Sequence, residues 1–355
     1  MPSAVDRVDD FQQRHPVIGV PLAVVYKFLD DQGPYLSAII TYYGFIAIFP
    51  LLLLASSILG FLLQGDQEFQ EQVLNSALSQ FPIIGDELGR PEGLQGSRTA
   101  VVVGALTALY GSLGLGQALQ NAMNVVWAVP RNSRPNPVLL RFKSLLLLIT
   151  AGIAVLAISV VSALGSGTEI VEASALVRWL IRVLTVVLIG LVLTFLFRLA
   201  AARSLRWSQA APGAFAVAVM WQALQSLGTV YVSRVLAETE GTINGTYALV
   251  LGLIGIIFIA AFMGVLGMEI NVVLARRLWP RALLTIFTDN VRLTAADKRA
   301  YAYYAQMQRH KGYERVEVTF EDQGDAPPPE PLRSPPTTSI EAMPQAPVDR
   351  RTPRD

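Results

Sequence analysis

Long apolar stretches alternate with shorter polar segments along this 355-residue chain. Each stretch is about as long as the 20 residues that a helix needs to cross roughly 30 Å of hydrocarbon. The runs are continuous, whereas strands of a membrane β-barrel alternate between apolar and polar positions. The pattern therefore predicts an all-α, polytopic membrane protein with six transmembrane helices. The predicted spans are Leu36–Leu63, Thr99–Ala118, Leu145–Gly165, Trp179–Phe197, Gly213–Val232 and Tyr247–Leu274.

Two amphipathic patterns accompany the spans. Residues 16–30 place apolar side chains at steps of three and four, which predicts a short helix on the cytoplasmic interface, turning at Gly33-Pro34 into the first span. Its apolar positions are Val17, Val20, Val24 and Phe28, with Arg14, Lys27, Asp30 and Asp31 around them. The loop 64–98 carries a second apolar helical face, which is either a lid on the outer surface or a helix packed on the bundle.

The segments outside the spans complete the predicted organisation. Residues 1–35 form an N-terminal cytoplasmic segment, residues 36–279 the membrane domain and residues 280–320 a C-terminal cytoplasmic segment. In the latter, Thr294 and Asp297 have the spacing of a capping box that opens a helix to about His310. Residues 313–320 alternate in the manner of a short strand or an extended chain. Nine of the 21 prolines fall within residues 321–355, so this tail is predicted to be disordered.

Lysine and arginine residues are distributed unevenly between the two sides of the predicted bundle. Of the 28, 23 lie on the termini and on the loops that share their side of the membrane. The positive-inside rule therefore predicts that both termini are cytoplasmic. Arginine far outnumbers lysine, as in GC-rich bacterial genomes, which indicates a bacterial plasma membrane, and no cleavable signal peptide is evident. Charged residues are only 15% of the chain, which is typical of membrane proteins.

Amide side chains form the first candidate site. A stripe at steps of three, one and three lies on one helix face at the cytoplasmic end of the second span. The stripe consists of Gln117, Gln120, Asn121 and Asn124. Such amides either line a polar pocket or substrate path, or hold helices together by hydrogen bonds. Gln222 and Gln225, in the middle of the fifth span, present the same alternative.

Glu269 forms the second candidate site, with Asn271 beside it. It is the one acidic residue well inside an apolar span, about 7–8 Å from the end of the sixth span at 1.5 Å per residue. A carboxylate at that depth must bind a proton or pair with a cation. It serves either a proton- or cation-coupled step, a lipid headgroup contact or a structural salt bridge. Arg206, Arg198 and Arg141 are its predicted partners.

Proline and small residues bear on architecture. Pro50 is predicted to kink the first span, either as part of a gate or as a static feature. Stripes of small residues favour spans two and six as the central helix pair, and leave homo-oligomerisation open. The stripes are Gly104, Ala108 and Gly111, and Ala260, Gly264 and Gly267.

Several chemical classes find no support in the residues. The chain has no cysteine, and its two histidines lie far apart in segments read as cytoplasmic. Neither a metal cluster nor a general acid/base pair is evident. The sequence therefore predicts a non-enzymatic protein without a metal or cofactor, and without a nucleic-acid partner.

Three segments carry a family resemblance. They are residues 38–51, with Thr41-Tyr-Tyr43 and Phe49-Pro50; residues 117–141, with the amide stripe and Trp127; and residues 212–271, ending in Glu269-Ile-Asn271. Together they resemble the YihY/BrkB family of bacterial inner-membrane proteins, historically also catalogued as ribonuclease BN. The resemblance covers about residues 15–285 and matches the six-span layout. The chain departs from the family in the aromatic residues in and before span six. The resemblance implies an envelope membrane protein that transports a lipid-like or small solute. The metal cluster or general acid/base pair that a nuclease would need is not evident in the sequence.

The sequence thus predicts a transporter or lipid translocator, whose partners are membrane lipids and a small solute or lipid substrate. The path would run between spans two, five and six. It would be lined by Gln117, Asn121, Gln222 and Gln225, with Glu269 near its cytoplasmic mouth and Arg141 and Arg206 meeting anionic headgroups. The alternative is a non-transporting structural or interaction protein. A continuous polar cavity would favour transport, and a dry bundle with an ion-paired Glu269 would favour the alternative.

Overall fold

The regular structure is entirely helical in the residues described by the computed structural model, which are 4–62, 98–165, 175–231, 243–285 and 291–320. These helices lie in a compact unit, Met1–Val318. They are α1 (Ala4–Arg14), α2 (Pro16–Asp30), α3 (Gly33–Leu62), α4 (Arg98–Val126), α5 (Pro137–Gly165), α6 (Ala175–Ala200), α7 (Trp207–Tyr231), α8 (Ile243–Arg276) and α9 (Ala295–Met307). A short 3₁₀ helix, Arg131–Ser133, precedes α5.

Helices α3 to α8 coincide with the six predicted apolar stretches. In the described residues, three of them contain segments long and apolar enough to cross a membrane: Pro137–Ile158, Trp179–Ala200 and Val250–Arg276. A shorter apolar segment covers Gly33–Ile48. The prediction of an all-α membrane protein is therefore confirmed, and six crossings remain compatible with the length of the helices. The predicted outer-loop helix and the tail from residue 321 lie outside the described residues.

The helices pack in an order that differs from the predicted central pair. Helix α3 lies between α4 and α8, α7 lies between α6 and α8, and α5 joins α4 to α6. The prediction that spans two and six pair centrally is wrong, because α4 and α8 contact each other only marginally. The closest approach is between Gly213 of α7 and Gly267 of α8, where a Cβ on Gly213 would lie 1.8 Å from the Gly267 carbonyl oxygen.

One end of the bundle gathers most of the buried charge. It contains the ends of α4, α6 and α8 and the starts of α5 and α7, and we call it the charged end. Hydrogen bonds from Lys27 to the Val126 carbonyl and from Lys143 to the Ala201 carbonyl place α2 and α5 there. Helices α2 and α9 cover it, with Tyr304 of α9 near Asp30 of α2. The predicted helix over residues 16–30 is confirmed; the chain turns at Gln32, whose φ is 56°, before α3 begins.

The predicted capping box is confirmed at the start of α9. The Thr294 hydroxyl accepts a hydrogen bond from the Asp297 amide, and the Asp297 carboxylate accepts one from the Thr294 amide. The helix ends at Met307, slightly before the predicted end. Tyr313 lies in a turn and residues 314–320 have no regular secondary structure, so the alternative of a short strand is wrong.

Thr294→Ala is expected to destabilise the protein by about 1 kcal/mol, because the first turn of α9 loses its side-chain acceptor. Thermal unfolding in detergent measures the change. Thr285→Ala is a suitable control, because the Thr285 hydroxyl makes only a long 3.4 Å bond to the Ala282 carbonyl. Equal stability of Thr294→Ala and wild type would show that this cap does not support α9.

Candidate functional site

A buried ion cluster lies at the charged end, between α2 and α8. The Lys27 ammonium contacts the Asp31 carboxylate directly, and its Nζ lies 3.5 Å from Glu269 Oε2. The three side chains are essentially closed to solvent, at 2%, 2% and 0% exposure. Lys27 also donates to the Val126 carbonyl at 3.1 Å and lies 5.2 Å from the centre of the Tyr304 ring. The cluster thereby joins α2, α4, α8 and α9.

The cation that pairs with Glu269 differs from the predicted partners. Arg206 and Arg141 are exposed, and Arg198 stacks on Trp207 and donates to the Leu205 carbonyl. Lys27 takes their place because it lies on the buried face of α2. That face also includes Ala23, Val24, Tyr26 and Phe28.

A second buried ion cluster lies beside the first. Arg281 is fully buried, contacts the Asp297 carboxylate directly and donates to Asp30 Oδ2 at 3.0 Å. Burial alone would lower the pKa of Arg281, but the charges of Asp297 and Asp30 raise it above its ordinary value. Asp30 lies on α2 and Asp297 on α9. This cluster therefore connects both of these helices to Arg281, in the chain that follows α8.

Tyr304 and Arg276 complete the layer of polar groups. Burial raises the pKa of Tyr304 well above its ordinary value, and the nearby Asp31 and Asp30 charges raise it further, so the phenol is neutral. The Arg276 guanidinium donates to the Trp127 carbonyl at 2.6 Å and stacks 4.1 Å from the centre of the Tyr303 ring. Both tyrosines belong to α9, so this helix packs over the layer.

The amide stripe of α4 divides between two environments. Gln120 is buried and donates to the Leu140 carbonyl and to Ser144 Oγ, at 3.0 and 2.9 Å, which holds α4 against α5. Asn124 is buried too, and its Oδ1 accepts no hydrogen bond. Gln117 and Asn121 are exposed. The stripe therefore does not act as one continuous lining.

The remaining predicted residues serve packing or lie half-buried. Asn271 is fully buried; its Oδ1 accepts from the Gly213 amide at 2.7 Å and its amide donates to the Ala210 carbonyl at 3.0 Å. These bonds tie α8 to α7 where the helices approach most closely. Gln222 and Gln225 are half-buried on α7. The backbone at Pro50 stays helical within α3, and its side chain lies outside the described residues.

A cavity of about 440 Å³ lies inside the bundle. Helices α3 to α8 all contribute to its wall, and every lining residue among the described ones is apolar. Representative lining residues are Ile40, Leu115, Leu147, Phe197, Trp221 and Met268. The candidate amides are not among the lining residues. The volume falls within the range of small-molecule binding sites, about 300–1,000 Å³.

The arrangement can bind apolar chains and hold buried charge. An apolar cavity of this size suits hydrocarbon rather than a hydrated ion or a polar solute. In the described residues, no three His, Asp or Glu side chains are grouped so as to hold a metal ion. The chemistry that the geometry offers is therefore apolar binding together with proton or ion-pair exchange in the Lys27 cluster.

The sequence alone did not identify several residues of this layer as functional. Lys27 and Asp31 were named only among the charges around the apolar positions of the helix over residues 16–30, and Arg281 was only counted as a charge. One signal was present: Val20, Val24, Lys27 and Asp31 recur at steps of four, three and four, so Lys27 lies on the apolar face of α2. No local pattern marks Arg281, because its carboxylate partners lie on two other helices.

The comparison with known families is consistent with this geometry. The family model described as Virulence factor BrkB matches residues 24–284, well over half of the chain. The matched region contains the whole Lys27 cluster, Arg281 and the cavity, whereas α1 and α9 lie outside it. No curated protein and no solved structure matches the chain.

Proposed function

We propose that this membrane protein, which belongs to the Virulence factor BrkB family, binds lipid-like amphiphiles and moves them across the bacterial plasma membrane. The observation that carries the proposal is the apolar cavity of about 440 Å³ among α3 to α8. A cavity with this lining excludes ions and sugars by desolvation cost but accepts an acyl chain at little cost.

The cations around the charged end support an anionic headgroup. The cavity reaches Ala200, and Lys143 donates to the carbonyl of the next residue, Ala201, at 3.0 Å. Lys143 is half-buried, as is typical of a lysine that covers apolar surface with its aliphatic stem and keeps its ammonium accessible. Arg203 and Arg206 are exposed nearby in the chain. In this proposal the acyl chain lies in the cavity and the headgroup meets Lys143.

The excess of lysine and arginine on the termini supports a cytoplasmic position for the charged end. The amphiphile would then enter or leave the cavity from the cytoplasmic leaflet. Both termini, including α1, α2 and α9, would lie in the cytoplasm.

A structural protein is the second candidate function, and two observations favour it: the cavity is apolar instead of a continuous polar path, and polar side chains bond the helices to one another. Gln120 and Asn271 form hydrogen bonds with neighbouring helices, and Glu269 is ion-paired with Lys27. These are the bonds of a bundle held together by polar side chains. The two candidates differ in whether the cavity is used.

Filling the cavity is expected to stop translocation. A Cβ at Gly264 meets nothing within 4 Å, and Gly264 lines the cavity, so Gly264→Leu would extend into it without a backbone clash. In proteoliposomes, labelled anionic lipid should cross at least tenfold more slowly than with wild type, equivalent to about 1.4 kcal/mol in the barrier.

Gly255→Leu is the matched control on the same helix. A Cβ at Gly255 also meets nothing within 4 Å, but Gly255 does not line the cavity. Its rate should therefore equal that of wild type. Equal rates in wild type, Gly264→Leu and protein-free liposomes would refute translocation and favour the structural function.

A further inference from the structure

The buried ionic layer contains one carboxyl group more than it has cations. From α2 it contains Lys27 and the partly exposed Asp30, from the turn after α2 Asp31, and from α8 Glu269 and the half-buried Arg276. Arg281 follows α8, and α9 adds Asp297 and the neutral Tyr304. Three cations thus face four carboxyl groups among the described residues. If all seven groups were ionised, the layer would hold one uncompensated negative charge, which is costly away from water.

The surplus falls on the Lys27 cluster. Asp30 and Asp297 both bind Arg281, and Arg276 is engaged with the Trp127 carbonyl and the Tyr303 ring. Among the described residues, Lys27 is therefore the cation that contacts both Asp31 and Glu269 directly. Asp31 has the closer contact with it, since Glu269 Oε2 lies 3.5 Å from Nζ.

Glu269 lacks the hydrogen bonds that a buried carboxylate needs. Neither of its oxygens accepts a hydrogen bond from the residues that the structure describes, although the side chain is fully buried. The Asp31 carboxyl is its neighbour, because both groups lie against the same Lys27 ammonium, Asp31 in direct contact and Glu269 Oε2 at 3.5 Å. A proton on one of the two carboxyls would donate to the other, and would satisfy an orphaned acceptor and remove the surplus charge at the same time.

We propose that Asp31 and Glu269 share one exchangeable proton beside Lys27, so that this cluster is a proton-binding site. The site is separate from the apolar cavity and does not depend on the translocation proposed above. The bound proton keeps the layer neutral, and its loss leaves a buried negative charge that loosens α2 from α8.

The environment of Asp31, at the turn between α2 and α3, supports the site. Burial raises the pKa of Asp31 above its ordinary value, and the attraction of Lys27 offsets this only in part. The folded protein therefore holds a proton at a pH at which the unfolded chain, with carboxyl pKa values of about 4, has released it.

The sign of the pH dependence follows from this difference. Between about pH 4 and the pKa of the shared proton, the folded state binds one proton more than the unfolded state, so stability falls as pH rises. The unfolding equilibrium constant should increase by up to tenfold per pH unit in this window. Glu269→Gln carries a permanently neutral amide in place of the shared carboxyl, so this contribution to the slope should vanish in the variant.

The test combines two measurements on the purified full-length protein in detergent. Unfolding is followed from pH 5 to pH 9 in wild type, in Glu269→Gln and in Glu317→Gln, whose exposed carboxylate pairs with Arg315. Infrared difference spectra record the C=O stretch of a protonated carboxylic acid. We expect wild type and Glu317→Gln to keep the slope and the band, and Glu269→Gln to lose both.

Three results would overturn the proposal. One is an unchanged slope in Glu269→Gln, and another is the absence of a carboxylic acid band in wild type at neutral pH. The third is stability that depends on Na⁺ or K⁺ concentration at fixed pH and ionic strength, since a bound metal cation would then balance the charge. Retention of the band in Asp31→Asn would show that Glu269 holds the proton alone, which would overturn the sharing.

Discussion

Lys27→Met is expected to destabilise the protein by about 3–5 kcal/mol, the usual cost of removing one partner from a buried ion pair. The substitution keeps most of the side-chain volume but leaves Asp31 and Glu269 without their common cation. The hydrogen bond to the Val126 carbonyl is lost as well. Thermal unfolding in detergent should show a large decrease in the midpoint.

Two further variants separate charge from packing. Lys311→Met removes an exposed lysine and should change stability by less than about 0.5 kcal/mol. Adding Asp31→Asn to Lys27→Met removes the surplus charge and should recover much of the lost stability. A Lys27→Met protein as stable as wild type would contradict the buried cluster.

Gly213→Ala is expected to separate α7 from α8. The new Cβ would lie 1.8 Å from the Gly267 carbonyl oxygen and 2.9 Å from Cγ of Asn271, so the two backbones must move apart. Overpacking of this kind costs about 1–3 kcal/mol. The hydrogen bond from the Gly213 amide to Asn271 would be strained at the same time. The stability of the purified variant, again by thermal unfolding, measures the effect.

Gly264→Ala provides a control with the same chemical change. Its Cβ meets nothing within 4 Å, so no backbone has to move. Alanine is favoured over glycine inside a helix by up to about 1 kcal/mol, so this variant should be as stable as wild type or more stable. Similar losses in both variants would show that close approach of α7 and α8 does not limit stability.

Lys27 and Gly213 act at different levels of the helix bundle. Gly213 and Asn271 bring α7 and α8 together, whereas Lys27 ties α2 to the same helix near its charged end. Helix α8 therefore carries the contact to α7, the contact to α2 and part of the cavity wall. This explains why Glu269 and Asn271, two residues apart, serve different neighbours.

Part of the candidate site could be predicted from the sequence. Glu269 stands out because a carboxylate within an apolar run needs a proton or a cation, and the structure supplies a cation. The identity of that cation could not be predicted from the sequence. Arginines at the predicted level of Glu269 were the natural choice, but a helix outside the predicted spans supplies Lys27 instead.

The burial of the amide stripe on α4 could not be predicted from the sequence either. Spacing places Gln117, Gln120, Asn121 and Asn124 on one broad face of α4, but does not say which edge of that face meets a neighbour. Helix α5 covers Gln120, whereas Gln117 and Asn121 stay exposed. Their division depends on the packing of α4 between α3 and α5, which involves residues distant in the chain.

The sequence by itself determined the helical membrane class, the positions of six long helices and the cap of α9. These follow from local rules, since apolar length, helical spacing and capping residues act within a few turns of one segment. Only the tertiary structure decided that Lys27 meets Glu269, that α7 and α8 touch at Gly213, and that an apolar cavity remains between six helices. Such features arise where separate segments pack together, and the free energy of burying a charge or leaving a void depends on every neighbour at once.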